Sequence, residues 1–199
     1  MILFRPVGLY EMEKILNLDG LEFPKRFANQ PIFYPVTNIE YARQIAKEWN
    51  QNDESSGFAG YVTKFEVDDN YIEQFEVHQV GDTIHQEYWI LAEELENFNL
   101  NIKRKIEIQE AYYGEGYFGI QPLGVTGFIE KNLKKQFDIL KATLEYNYMD
   151  FSGTISVEWR IVSLNFLYWK SMINNIEDEA VLSKILISLE RNNRKFIAL

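Results

Sequence analysis

The sequence predicts an α+β fold of mixed sheets with short helices, followed by an all-helical region, and three observations carry that prediction. Strand-like and helix-like segments alternate as far as Tyr113, and beyond it the apolar residues recur at helical intervals with almost no strand signal. Between the two patterns lies a run from Tyr113 to Pro122 that holds three glycines and a proline. The boundary falls near Gly114-Glu115-Gly116, which divides the chain into residues 1–115 and 116–199. The aromatics of that run predict a tethered linker.

In chain order, Ile2 to Val7 reads as an opening strand, and Leu9, Met12, Ile15 and Leu16 form the apolar stripe of a short helix stopped by Asp19-Gly20. Pro31 to Val36 is short and extended. Thr37 with Glu40 has the spacing of a capping box, which predicts a helix running to about Trp49, and Asn50 to Gly57 reads as a loop. From Gly60 to Val67 the residues alternate, with Tyr61, Thr63, Phe65 and Val67 on one face, as in a half-buried strand. Further strands are expected at Phe75 to Val80 and Glu87 to Ile90 around a Gly81-Asp82 turn. A short helix at Ala92 to Asn99 and a closing strand at Ile106 to Tyr112 follow. In the second part, Ile129, Leu133, Phe137, Leu140 and Leu144 make one helical stripe, and Trp159, Val162, Phe166, Trp169 and Ile173 make a second. Val181, Leu182, Ile185, Leu186 and Leu189 make a third, so about three helices are expected, the middle one central.

A chain of 199 residues with 46% hydrophobic and 15% aromatic residues is globular, and it contains no cysteine for disulfides, thiolate metal sites or a thiol nucleophile. Only His78 and His85 are histidines and no calcium-loop spacing occurs, so no metal site is expected. Without a basic leader or an apolar run of membrane-spanning length, a cytoplasmic protein away from the membrane is the expectation. The formal charge of −10 sits in the first part, where residues 1–115 hold 10 Lys/Arg against 21 Asp/Glu. Such a surface repels phosphate backbones and argues against nucleic acid as the main partner. Phosphate-loop, GxGxxG and GxSxG fingerprints are absent.

The residues left to carry chemistry are found by position. Arg5 stands in an apolar strand, where a guanidinium needs an acidic partner or a bound anion, and a salt bridge at the strand end is the plain alternative. Tyr34 precedes the capped helix and taken alone reads as a core aromatic. Glu87 opens the apolar strand Glu87-Tyr88-Trp89-Ile90, where it also fits a solvent-exposed strand start. Glu110 is its rival carboxylate, because alternation places it on the face of Ile106 and Ile108.

Leu3-Phe4-Arg5-Pro6, then Ile32-Phe33-Tyr34-Pro35-Val36-Thr37-Asn38 with Tyr41-Ala42, then Glu87-Tyr88-Trp89-Ile90 resemble in their order the three-part signature of the ADP-ribosyltransferase superfamily. The chain is also similar to short bacterial proteins carrying ADP-ribosylation-type labels and to toxin-like transferase domains, in which segments like Gly60 to Val67 and Ala92 to Asn99 recur. The resemblance covers about residues 1–113 and leaves the helical part unassigned. It implies NAD as co-substrate, Glu87 as the carboxylate that stabilises the oxocarbenium-like transition state, Arg5 as a grip on ribose or pyrophosphate, and Tyr34 as a stacking surface for nicotinamide. Tyr41 and Tyr61 would line the pocket. Where many such transferases carry Glu or Gln two residues before the catalytic Glu, this chain has His85, so an arginine acceptor does not follow. The competing expectation is a catalytically inactive transferase-like scaffold, an immunity or regulatory module whose acidic first half docks on a basic protein surface.

Overall fold

The computed structural model describes residues 1–27 and 29–198, and the chain divides into two compact units. Residues 1–116 form the first, joined by the chain end from Phe196, and residues 117–195 form the second. The architecture is α+β, with mixed sheets in the first unit and an all-helical second unit. No helix among the described residues is long and apolar enough to cross a membrane.

The first unit opens with β1 (Ile2–Gly8), which runs directly into α1 (Leu9–Asn17). Leu9, Met12, Ile15 and Leu16 bury the apolar stripe of α1, and the helix ends where Asp19 and Gly20 take left-handed backbone angles of 56° and 69°. Next come β2 (Ile32–Phe33) and α2 (Ile39–Glu48). Two 3-10 turns separate α2 from β3 (Ala59–Glu66). After α3 (Asp69–Ile72), β4 (Val77–Gln79) and β5 (Gln86–Tyr88) make a hairpin. The strand β6 (Ile90–Leu91), the helix α4 (Leu95–Leu100) and β7 (Glu107–Tyr113) complete the unit.

Three antiparallel strands in the order β1-β3-β7 form the main sheet. Pro6, which lacks an N–H, is tolerated because β1 is the edge strand of this sheet. Two small antiparallel pairs, β2 with β6 and β4 with β5, lie beside it. Val36 is the hinge between these sheets: it exchanges backbone hydrogen bonds of 2.9 and 2.8 Å with Phe4 and also bridges to Glu87. The core on one side of the sheet is an aromatic cluster in which Phe23, Phe33, Phe65 and Phe98 meet with ring centroids 4.8–6.5 Å apart. On the other side α2 lays Tyr41, Ala42 and Ala46 against Val36 and Val62.

The capping box expected at Thr37 is not formed. Asn38 caps α2 instead, its side chain accepting from the Glu40 N–H at 2.7 Å, while Thr37 sends its hydroxyl to the Gln86 carbonyl. Asn38→Ala should therefore cost about 1 kcal/mol in chemical denaturation, as losses of an N-cap do. Thr37→Ala should leave the cap intact, and a larger loss for Thr37 than for Asn38 would overturn this assignment.

In the second unit α5 (Leu133–Tyr146), α6 (Tyr148–Val157), α7 (Trp159–Met172) and α8 (Ile176–Arg191) replace the three expected helices. The unexpected one is α6, whose Ser152-Gly153-Thr154 centre has poor helix propensity and whose buried residues are only Phe151 and Ile155. Ile129, expected in the first stripe, precedes α5 and is 46% exposed, because Asn132 caps the helix by accepting from the Lys135 N–H. α7 is the central helix, with eight buried residues, and its Trp169 indole donates to the Leu133 carbonyl at 2.8 Å. Its Asn165 joins a buried chain, accepting from the Tyr117 hydroxyl and donating to Gln136. The sequence assigned the chain end to this helical part, but Phe196 and Ala198 hydrogen-bond with Ile108 of β7 in the first unit.

Candidate functional site

The geometry of the candidate site follows from the hinge at Val36. Because Val36 bridges Phe4 on one side and Glu87 on the other, the strand bearing Arg5, the segment bearing Tyr34 and the strand bearing Glu87 meet. Beside them, Tyr41, Ile45 and Trp49 lie four residues apart along α2 and its C-cap, on one helical face. These residues with Trp89 line a cleft of about 340 Å³.

Glu87 is 9% exposed and is held by two neutral donors: the Trp89 indole at 2.8 Å on Oε1 and the Tyr41 hydroxyl at 3.4 Å on Oε2. Burial, and after it the adjacent Glu87 carboxylate, push the Tyr41 phenol above its ordinary value of 10.0, so Tyr41 remains a donor at neutral pH. The Trp89 ring is stacked on His78 with centroids 4.2 Å apart and meets Tyr34 edge-on at 6.4 Å. Trp89 and Tyr34 are 43% and 37% exposed, so the cleft has a buried acidic floor and a partly open aromatic rim.

Arg5 is 7% exposed and each of its three guanidinium nitrogens donates one hydrogen bond. Nε and Nη2 reach the two Glu11 oxygens at 2.9 and 3.3 Å, and Nη1 donates to the Tyr34 carbonyl at 3.1 Å. The guanidinium also lies 4.6 Å from the centre of the Phe33 ring. Its place is thus a strand-end ion pair that also fixes the backbone of Tyr34. Arg26 approaches the same Glu11 carboxylate at 3.6 Å. Its pKa is lowered, first by burial and then by the nearby Arg5 charge.

Two predicted site residues lie outside the cleft lining. Tyr61 is fully buried and packs edge-on against Tyr113, because alternation along β3 turns it away from the α2 side that Val62 faces. His85 closes the hairpin: its Nδ1 accepts from the Asp82 N–H at 3.1 Å, which leaves Nε2–H to donate to Gln44 at 2.9 Å. Its ring packs on Tyr41 with centroids 4.4 Å apart, so it touches the site only through that residue.

Glu110 is also displaced from the expected face. A β-bulge between Val62 and Thr63 sets Ile108 opposite Thr63 but Glu110 opposite Val62, which reverses the parity. Glu110 therefore turns to α2, where Arg43 grips both its oxygens at 2.8 and 2.6 Å and the Tyr112 hydroxyl donates at 2.7 Å. Arg43 also pairs with Glu40. The Arg43 hydrogen bond holds Glu110 below its ordinary value of 4.5, while burial and then Glu110 push Tyr112 up to about 12. Since the folded-state pKa of Glu110 is depressed, its stabilisation is complete above the ordinary carboxylate range and is lost as pH falls through the folded value. Glu110→Gln should flatten the acid limb of the stability curve below about pH 4.5, measured by denaturation at stepped pH. An unchanged slope would show that the clamp does not couple to folding.

Sequence reasoning passed over Trp49, Trp89 and Glu11. Two of these had a readable signal: Trp89 shares strand parity with Glu87, and Trp49 continues the Tyr41-Ile45 spacing. A wider groove of about 1140 Å³, bordered by Lys14, Arg26 and Glu93, contains none of the residues singled out from the sequence. Among the described residues, no group of His, Asp and Glu is placed to hold a metal ion. Comparison of the chain with protein-family models, with curated proteins and with solved structures finds no match.

Proposed function

We propose that the first unit is an NAD-dependent ADP-ribosyltransferase that passes ADP-ribose to an acceptor nucleophile, with Glu87 as its catalytic carboxylate. The observation that carries this reading is that Arg5, Tyr34, Tyr41 and Glu87, distant in sequence, line one cleft. In the reaction the bond between nicotinamide nitrogen and ribose C1′ breaks, neutral nicotinamide leaves, and the acceptor atom bonds to C1′ and gives up a proton. The developing positive charge on the sugar is what Glu87 would stabilise, in a cleft whose lining otherwise combines the aromatic Tyr34, Tyr41, Trp49 and Trp89 with Arg5, Pro6, Val36 and Ile45. Arg5 acts in this scheme as a positioning residue: with Glu11 on its donors, it braces the Tyr34 backbone and does not itself reach for a phosphate.

The engagement of Arg5 is also the observation that favours the second reading, a scaffold that binds a protein partner without turnover. Release of nicotinamide from NAD by the purified protein separates the two. The transferase reading expects release that Glu87→Gln abolishes; a folded protein that releases none leaves the scaffold.

A further inference from the structure

The charged groups lining the cleft are Arg5 and Glu87. Arg5 is held by its two-point contact with Glu11, a carboxylate that Arg26 also approaches at 3.6 Å. Glu87 has no ion-pair partner among the described residues, since Tyr41 and Trp89 are neutral donors. The Glu87 carboxylate therefore lies without a direct counter-charge in a cleft lined by the rings of Tyr34, Tyr41, Trp49 and Trp89. A buried carboxylate without a counter-charge is costly, and the faces of aromatic rings attract cations and repel anions. The His78 stack backs the Trp89 indole, so this wall is fixed before any ligand arrives. A volume of about 340 Å³ is near the lower end for ligand clefts, enough for one ring with its sugar but short of a whole dinucleotide.

We infer that this cleft is a receptor for a flat organic cation, and that in NAD the group it selects is the positively charged pyridinium ring of the oxidised form. The second clause rests on the transferase reading; the first stands without it. One consequence is directional. When the glycosidic bond breaks, the ring becomes neutral and its attraction to Glu87 ends, while the positive charge moves to the sugar beside the same carboxylate. The cleft thus holds the reactant and the charged sugar more strongly than the departing nicotinamide.

Calorimetric titration of the intact protein with nicotinamide and with its ring-N-methylated cation tests the inference, since the two share ring and amide and differ by a methyl group and its charge. The cation should bind at least about tenfold more tightly, a difference that cation–π contact and one opposed charge supply. Glu87→Gln should remove most of that preference, and Trp89→Leu serves as the second variant where Glu87→Gln does not fold. Oxidised NAD should likewise bind more tightly than reduced NAD. Equal affinity for the two ring compounds in the unaltered protein overturns the inference. The two readings fail separately: cation preference without nicotinamide release removes the transferase and keeps the receptor, whereas release without cation preference does the opposite.

Discussion

Glu87→Gln is expected to lower nicotinamide release from NAD by about 10³-fold, roughly 4 kcal/mol of transition-state stabilisation, while leaving the fold in place. The size follows from what is removed. Glutamine keeps the volume and an oxygen for the Trp89 indole, which now donates at 2.8 Å, and its amide can face a Tyr41 hydroxyl that turns from donor to acceptor. Only the negative charge is lost. Stability should change by less than about 1 kcal/mol, because the hydrogen bonds are exchanged and not abolished. The paired variant is Glu110→Gln, whose carboxylate is clamped by Arg43 and does not line the cleft. It should leave turnover unchanged. A fall of less than tenfold for Glu87→Gln, or a larger fall for Glu110→Gln, would falsify the assignment of the catalytic carboxylate.

The comparison of these two carboxylates shows which information the sequence carried. Glu87 is singled out by its place at the head of an apolar strand and by the order of the three motifs, and the regular pairing of β4 with β5 across His78 and Glu87 keeps it on that strand. Alternation failed at Glu110, where the bulge in β7 inserts one residue and moves the side chain to the α2 face. Nothing in Ile106 to Tyr112 marks that insertion, since its cause lies in pairing with β3. The cap of α2 failed for a related reason: Thr37 and Asn38 are both good caps, and the choice fell to the strand contact that claims Thr37. Local patterns gave most of the elements, and the order of three short motifs gave Arg5, Tyr34 and Glu87. A strand-end salt bridge is one of the two readings of Arg5, but its partner, Glu11, depends on how α1 folds back beside β1.

Gly60→Ala should be among the most damaging single substitutions in the first unit, and its cause can be read from one contact. A Cβ on Gly60 would lie 2.1 Å from the Ala46 carbonyl oxygen and 2.6 Å from its carbon, both backbone atoms of α2. No side chain can swing aside there, so the helix itself has to lift from β3. Lifting it opens the cluster of Val36, Tyr41, Ala42, Ala46 and Val62, all between 0% and 7% exposed. Overpacking of this kind costs about 3 kcal/mol or more, a fall of roughly 10 °C in the melting temperature of the unit. Gly153 offers the opposite case in the same chain: it lies within α6 and a Cβ there meets nothing within 4 Å, so Gly153→Ala should stabilise by about 1 kcal/mol. The damage at Gly60 should also reach the cleft. Tyr41 and Ile45 ride on α2 and Trp49 caps it, so displacement of the helix separates Tyr41 from Glu87 and moves an aromatic wall outward. Below its own melting transition, Gly60→Ala should therefore bind the pyridinium cation at least about tenfold more weakly than the unaltered protein. Retained affinity would mean that α2 holds the site less directly than the contact between Ala46 and Gly60 indicates.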